Sequence, residues 1–216
     1  MKQAILIVFL ALAAIFPLFS EEKPTPASTG SVQNNAYEQS PLLGDTELEF
    51  SGSFGILGPG PVFISGNRVD SNPALLARFQ LDKYFMADRI ALGLFYNQSA
   101  PSIGADGKGG SISMNDLGLA FKLRWDVASW LMLKPGLGLA YRLGTVRSNL
   151  LSDPSSSFAS GLGLNFGLEV KPLGLKIYEL SPYFDFGVIS QPLGSHGQDS
   201  VTYGPMFYFA AGFYYL

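Results

Sequence analysis

The chain contains no cysteine and only one histidine, His196, among its 216 residues. Without cysteine there is no disulfide, no thiolate metal site and no residue on which an N-terminal lipoprotein anchor can be built. With a single imidazole, a transition-metal site lacks its usual ligands. Charge is also scarce: Asp, Glu, Lys and Arg make up 14% of the chain, against roughly 25% in an ordinary soluble domain. The net charge is −3 with no basic cluster, so nothing resembles a phosphate-backbone footprint and nucleic acid is excluded as a partner. The acids outside the alternating segments, Asp70, Asp106, Asp153 and Asp199, form no D-x-D-x-D-G loop for calcium. Paired glycines at Gly136/Gly138 and Gly161/Gly163 lie inside strand-like segments, not at a strand-to-helix turn, so they are not a nucleotide fingerprint. The expected sets of catalytic, cofactor-binding and metal-binding residues are therefore all empty.

Glycine (25 residues) and aromatics (13%) are abundant. Lys2, the apolar run Ala4 to Phe16 and an exit at Ser20 before Glu21 and Glu22 have the layout of a cleaved secretory signal peptide over residues 1–20. The alternative, an uncleaved anchor, is short of the ~20 residues that a helical span needs. Residues 21–45, interrupted by Pro24, Pro26 and Pro41 and rich in polar residues, read as a flexible leader. No repeat or charge block divides the remainder of the chain, so residues 46–216 form one domain.

From Thr46 a period-two pattern dominates. Eight strands are expected. The first sets Leu48, Phe50, Phe54 and Ile56 against Glu47, Glu49, Ser51 and Ser53. The second sets Leu75, Ala77, Phe79 and Leu81 against Arg78, Gln80 and Asp82, and the third Ile90, Leu92, Leu94 and Tyr96 against Ala91, Gly93, Phe95 and Asn97. The fourth runs Leu117 to Trp125, and the fifth Leu131 to Leu143 with Pro135 as a blemish, since proline cannot donate to a ladder. The sixth runs Phe158 to Val170, the seventh Tyr183 to Val188, and the last Met206 to Leu216. Long loops at about 57–73, 98–111, 144–157 and 191–204 alternate with short turns. The terminal run MFYFAAGFYYL is apolar at nearly every position, and periodicity alone leaves it as a strand or a buried helix; its aromatics favour a strand.

Alternation is unchanged by turning a barrel inside out, so a soluble barrel with its apolar row inward is the competing arrangement. Three features favour lipid outside. The polar row is mostly Gly and Ala, suited to a narrow interior. An exported chain with so little charge has a poor solvent face. Aromatic residues flank the short turns: Tyr84, Trp125, Trp130 and Tyr178, with Tyr214 and Tyr215 at the terminus, are expected to form one interfacial girdle. In the last strand, Leu216, Tyr214 and Tyr208 are expected to face lipid, and Tyr215, Phe213 and Phe209 to turn inward.

The export signal, eight alternating strands, uneven loops and an aromatic C-terminal strand together resemble the small eight-stranded bacterial outer-membrane β-barrels, the class of the OmpA membrane domain, OmpX and OmpW. Leu216 stands where that class usually has an aromatic. The resemblance implies an all-β, antiparallel, up-and-down transmembrane barrel in the bacterial outer membrane. Its implied partners are outer-membrane lipid including lipopolysaccharide, the barrel-assembly machinery, and host or envelope ligands met through the loops.

With the polar row inside, Glu47, Glu49, Arg78, Asp82, Lys122, Arg124, Lys134, Arg142, Glu169 and Asp185 are expected to form a cross-lumen charge network that plugs the barrel, since buried ions are costly unless paired. A wetted path for ions or small apolar solutes is the alternative. Some outer-membrane barrels modify lipid A with His and Ser two apart on a strand. Here Ser195 is adjacent to His196 and Ser200 is four away, so an exposed, non-catalytic loop histidine is expected.

Overall fold

The computed structural model describes residues 48–86, 88–105, 108–153 and 158–215; the segments expected as signal peptide and leader, with Glu47 and Leu216, lie outside them. Large apolar residues alternating with small or polar ones put each strand's two faces in different surroundings, and the described chain is all strand and turn. In order these are β1 (Leu48–Leu57), β2 (Pro61–Ile64), β3 (Asn67–Ser71), β4 (Ala74–Phe85), β5 (Ile90–Ser99), β6 (Ser102–Ala105), β7 (Lys108–Leu123), β8 (Trp125–Ala128), β9 (Leu131–Ser148), β10 (Ala159–Pro172), β11 (Ser181–His196) and β12 (Asp199–Tyr215). Eight of them, β1, β4, β5, β7, β9, β10, β11 and β12, are the eight expected from the alternation. Each pairs antiparallel with the next, and β12 pairs back with β1 from Phe50↔Tyr215 to Leu57↔Tyr208.

The register fixes the shape of this ring. Following paired residues once round from Phe50 through Leu81, Leu94, Leu119, Leu139, Leu164 and Ser190 returns to β1 displaced by about ten residues, a measure of shear. With about 3.3 Å per residue and about 4.8 Å between strands, the strands tilt by about 40° and the backbone lies about 8 Å from the axis. Each residue then climbs about 2.5 Å along the axis.

Pro135 falls where the β7 ladder ends, at Lys122↔Gly136, and before β8 resumes it at Trp125↔Leu133. The gap on that side of β9 accommodates a residue without an N–H.

Three of the four segments expected as long loops are largely strand. Residues 57–73 hold the β2–β3 hairpin, closed by Ser65 and Gly66 at φ 47° and 83°. Two residues with positive φ match the twist of a tight hairpin. Residues 98–111 hold β6 and the start of β7. Residues 191–204 are the paired ends of β11 and β12, turning at Gly197 with φ 59°. The sequence breaks there are the tips of longer strands.

These additions build a second ring on the first. Above the ends of β1, β4 and β5, β12 pairs with β2, β2 with β3, β3 with β6 and β6 with β7, while β7, β9, β10, β11 and β12 continue upward. The two tiers have opposite linings. In the lower tier Phe54, Leu119, Leu139 and Phe207 face outward while charged side chains are buried within. In the upper tier Val62, Ile64, Ile112, Val146 and Val201 form a buried apolar core, and Asn67, Arg68, Thr145, Arg147 and Ser200 lie outside. The exchange happens along single strands: β9 presents Leu139, Tyr141 and Leu143 outward, then Thr145 and Arg147, as its inward side passes from Arg142 to Val146.

Asp199 ties the top together. It accepts hydrogen bonds from Ser65 Oγ at 2.7 Å, Ser152 Oγ at 2.8 Å and Ser152 N at 2.9 Å, linking the β2–β3 turn, the segment after β9 and the β11–β12 turn. Hydrogen bonds from Ser65 and Ser152 hold its carboxyl below the ordinary carboxylate range. Because the folded pKa is depressed, this contribution is complete above the unfolded value of about 4 and fades as pH falls through the folded one. Amide hydrogen exchange at Ser152 and across β2–β3, corrected for intrinsic rates, is expected to be flat from pH 7 to about 4 and to accelerate below. Asp199→Ala should bring that acceleration to pH 7 and leave the lower ring heat-modifiable on gels; an unaltered exchange profile in the variant would show that the three bonds hold nothing.

Candidate functional site

Each strand of the lower ring delivers polar residues inward at every second position, and the register brings them together in layers. Nearest the end that holds Leu48 and Tyr215, Glu49 of β1 lies opposite Asp82 of β4, and Glu169 of β10 opposite Lys134 of β9. Lys122 Nζ reaches Gln80 Oε1 at 2.6 Å, Asp82 Oδ2 at 2.7 Å and Glu169 Oε1 at 2.5 Å. Lys134 Nζ lies 2.9 Å from Glu49 Oε1, 2.8 Å from Asp82 Oδ2 and 3.3 Å from Glu169 Oε2. Lys171 Nζ contacts Glu49 Oε1 and is 3.3 Å from Glu169 Oε2. Aromatic rings line the same layer: Lys171 Nζ lies 4.0 Å from the centre of the Tyr214 ring and Lys134 Nζ 4.9 Å from that of Tyr84. Both are cation–π distances. The Tyr84 hydroxyl donates to Glu49 Oε2 at 2.8 Å.

In the middle layer Arg78 Nε is 3.0 Å from Asp185 Oδ2, and a guanidinium N–H donates to the Tyr208 hydroxyl at 2.7 Å. That hydroxyl donates to Asp185 Oδ1 at 3.0 Å, and the Phe95 ring lies 5.4 Å from the guanidinium carbon. Phe95 fits only because Gly118 and Gly138 face it: a Cβ would sit 2.5 Å from the ring at Gly118 and 2.7 Å at Gly138. Toward the hairpin end Arg142 grips Asp116, its register partner, through two bonds of 2.5 and 2.7 Å.

Among the described residues, the lower interior thus buries five cations (Arg78, Lys122, Lys134, Arg142, Lys171) and five anions (Glu49, Asp82, Asp116, Glu169, Asp185). The charges balance, and each ion touches at least one of opposite sign, as burial of charge demands. A cavity of about 10 Å³ lined by Arg78, Asn165, Glu169 and Asp185 lies among them, about the space of a single water. The carboxylates of Glu49, Asp82 and Glu169 converge, with oxygens within 4.8 Å of one another. Three lysine ammonium groups already answer this carboxylate cluster.

Eight of the ten charged residues expected in the interior are buried there. Arg124 is not: its side chain remains 26% exposed and pairs on the outside with Asp126, Nε to Oδ1 at 3.2 Å. β7 ends at Leu123, so the alternation no longer governs it. Glu47 lies outside the described residues. The pattern missed Asp116 and Lys171. Asp116 sits one step above Leu117, the last outward apolar residue of its strand, and Lys171 lies past Val170, where the expected sixth strand ends, although β10 continues to Pro172.

The aromatic set divides. Trp125, Trp130, Tyr178 and Tyr215 are exposed at the turn end, whereas Tyr84 and Tyr214 are buried inside. Their hydroxyl and ring faces serve the ion layer instead of an interface. The closing strand is accordingly the reverse of the expectation: Tyr208, Ala210 and Tyr214 point inward, and Phe207, Phe209, Phe213 and Tyr215 outward. The inward row sits beside Ser51, Ser53 and Leu57 of β1.

His196 is also corrected: it is a buried residue at the end of β11, in register with Asp199, and not an exposed loop residue. Ser195 and Ser200 face outward, so strand alternation turns these two hydroxyls away from the side of the strand on which the imidazole lies.

No protein-family model matches the sequence, and no curated protein matches it. Among solved structures it is similar to the crystal structure of Neisserial surface protein A (NspA), at 11% identity and a TM-score of 0.54, covering 80% of this chain and 99% of that one. Ail, the attachment invasion locus protein of Yersinia pestis, solved with the heparin analogue sucrose octasulfate, aligns at 14% identity and a TM-score of 0.47 over 78% of this chain and 99% of that one. With its ring of paired antiparallel strands and its likeness to NspA, the chain has the fold of the small eight-stranded outer-membrane β-barrels.

Proposed function

We propose that this protein is a non-conducting barrel of the bacterial outer membrane that carries a closed β-tier above the lipid as a contact surface, in a structural or surface-interaction role. On this reading residues 1–20 are the cleaved export signal, 21–45 a leader on the periplasmic side, and 46–216 the barrel. On β12 the outward apolar row from Phe207 to Tyr215 spans about 20 Å at about 2.5 Å per residue, comparable with the hydrocarbon band of about 25 Å on such proteins. Trp125, Trp130, Tyr178 and Tyr215 mark the periplasmic edge of the apolar belt.

The observation that carries the proposal is the doubly filled interior. Below, ten neutralised ions leave a cavity of about 10 Å³; above, the apolar core around Val62, Ile64, Ile112 and Val201 is buried at 0–2% exposure. An ion entering from outside would first meet a dry core, where its desolvation is not repaid. The lumen network therefore acts as a plug. What remains available to a host or envelope ligand, or to lipopolysaccharide, is the outside of the upper tier, a rigid strand surface of the kind on which binding residues are held in place.

Planar bilayers containing the purified protein are expected to stay at background conductance; reproducible single-channel steps would overturn the plug. Glu169→Gln removes the carboxylate that Lys122, Lys134 and Lys171 share. It should cost about 3–5 kcal/mol, read as a lowered urea midpoint for the folded band. Asp70→Asn, in a surface pair with both side chains 64% exposed, should shift stability by about 0.5 kcal/mol or less. Equal shifts for the two variants would remove the ion layers from the account.

A further inference from the structure

The apolar belt does not end at one level. On β12, β1 and β4 its highest members are Phe207, Ile56 and Leu75, and on β7 it stops at Leu117, with Asn115 and Ser113 above. On the β9–β11 flank apolar side chains continue. Leu143, Leu162, Leu193 and Phe158 are exposed by 41, 54, 63 and 59%. Leu162 and Leu193 are register partners, and Leu162 also pairs with Tyr141, so the patch is continuous with the belt below.

The register converts to height. With a tilt of about 40° and a rise of about 2.5 Å per residue, Leu162, Leu143 and Leu193 lie about 3 to 6 Å above the level of Leu75 and Phe207, and Phe158, just before β10, is higher still. At similar heights elsewhere the outward positions are Ser113, Ser200 and Thr202, and Phe63 of β2, 36% exposed, stands singly between Thr202 and Arg68. Exposed aromatic and aliphatic side chains beside such neighbours are out of place in water. Their continuity with the lipid-facing surface identifies the occupant that already covers that surface.

We propose that acyl chains of the outer leaflet climb the β9–β11 flank to Leu193 and Phe158, so that the bilayer meets the barrel higher on this side than on any other. Part of the upper tier is then a lipid-contact surface, and the barrel sits asymmetrically in its membrane. This rests on the membrane reading above. An apolar stretch taller than the local hydrocarbon is accommodated by tilt or by local thickening, at a fraction of a kcal/mol per Å; either brings lipid to the patch.

The absence of native cysteine allows a direct test. Single cysteines replacing Leu193, Phe158, Thr202, Ser113 and Phe209 are labelled with an environment-sensitive fluorophore, in vesicles of phosphatidylcholine with acyl chains brominated or not. Phe209→Cys, in mid-belt, reports whether the protein spans the bilayer at all. Given quenching there, labels at 193 and 158 should be quenched by brominated chains to at least half the extent seen at 209, and shielded from aqueous iodide. Labels at 202 and 113 should show the opposite. Iodide quenching at 193 and 158 would overturn the proposal, and so would protection from both quenchers, which would mean that a second copy of the chain covers the flank. No bromine quenching at 209 would instead reject the membrane reading itself.

Discussion

On the proposed membrane reading, everything in this molecule depends on one constraint: a strand among lipid chains has no water to satisfy an unpaired N–H or C=O, so the ladder must close. Closure with eight strands and a shear of about ten leaves a backbone radius of about 8 Å, and that radius dictates the lining. Where a side chain as large as Phe95 enters, Gly118 and Gly138 must face it. Where a charge enters, its counterion must come from a neighbouring strand. The ion layers are thus less a functional choice than a way of filling a narrow, polar-facing tube without leaving any ion alone.

Much of this was legible from alternation alone. The outward row from Leu48 to Val170 stood out because its residues are large and its partners small, a contrast that also decided which face meets lipid. The closing strand was misread because both of its rows are apolar there. The deciding information was finer: the Tyr208 hydroxyl joins Arg78 and Asp185 and the Tyr214 ring lies over Lys171, partners that the phenylalanines of the other row could not bond through a hydroxyl. Hydropathy cannot separate a tyrosine over Lys171 from one at a lipid interface. The same limit applies to Tyr84, whose partner Glu49 lies 35 residues away and is invisible to any local window.

The upper tier was hidden for a different reason. Breaks such as Ser65–Gly66 and Gly197 read as loop, yet positive φ at these positions makes them hairpin turns, and the β-branched residues beside them (Val62, Ile64, Val69, Val201) alternate inward. Their pattern is the reverse of the lower tier, apolar in and polar out. A search tuned to one orientation therefore registers the change of surroundings as a loss of strand. His196 lies at the tip of this tier, beside the Gly197 turn, and a glycine- and serine-rich context gave it the look of an exposed residue.

The reversal of lining also bears on how such a barrel could recognise anything. A surface of mobile loops must be ordered on binding, at about 0.5–1.5 kcal/mol per immobilised side chain. Here most of the loop-end residues are already in ladders, and Asp199 ties together the β2–β3 turn, the segment after β9 and the β11–β12 turn. Specificity on such a platform has to come from the outward residues of strands, such as Arg68, Asp70 and Arg147, and not from loop length. Because most of the inward residues beneath them belong to one apolar core, outward positions are free to vary without disturbing the seal. On the proposed reading, the same core that seals the lumen against conduction also makes the outer surface a rigid support for recognition.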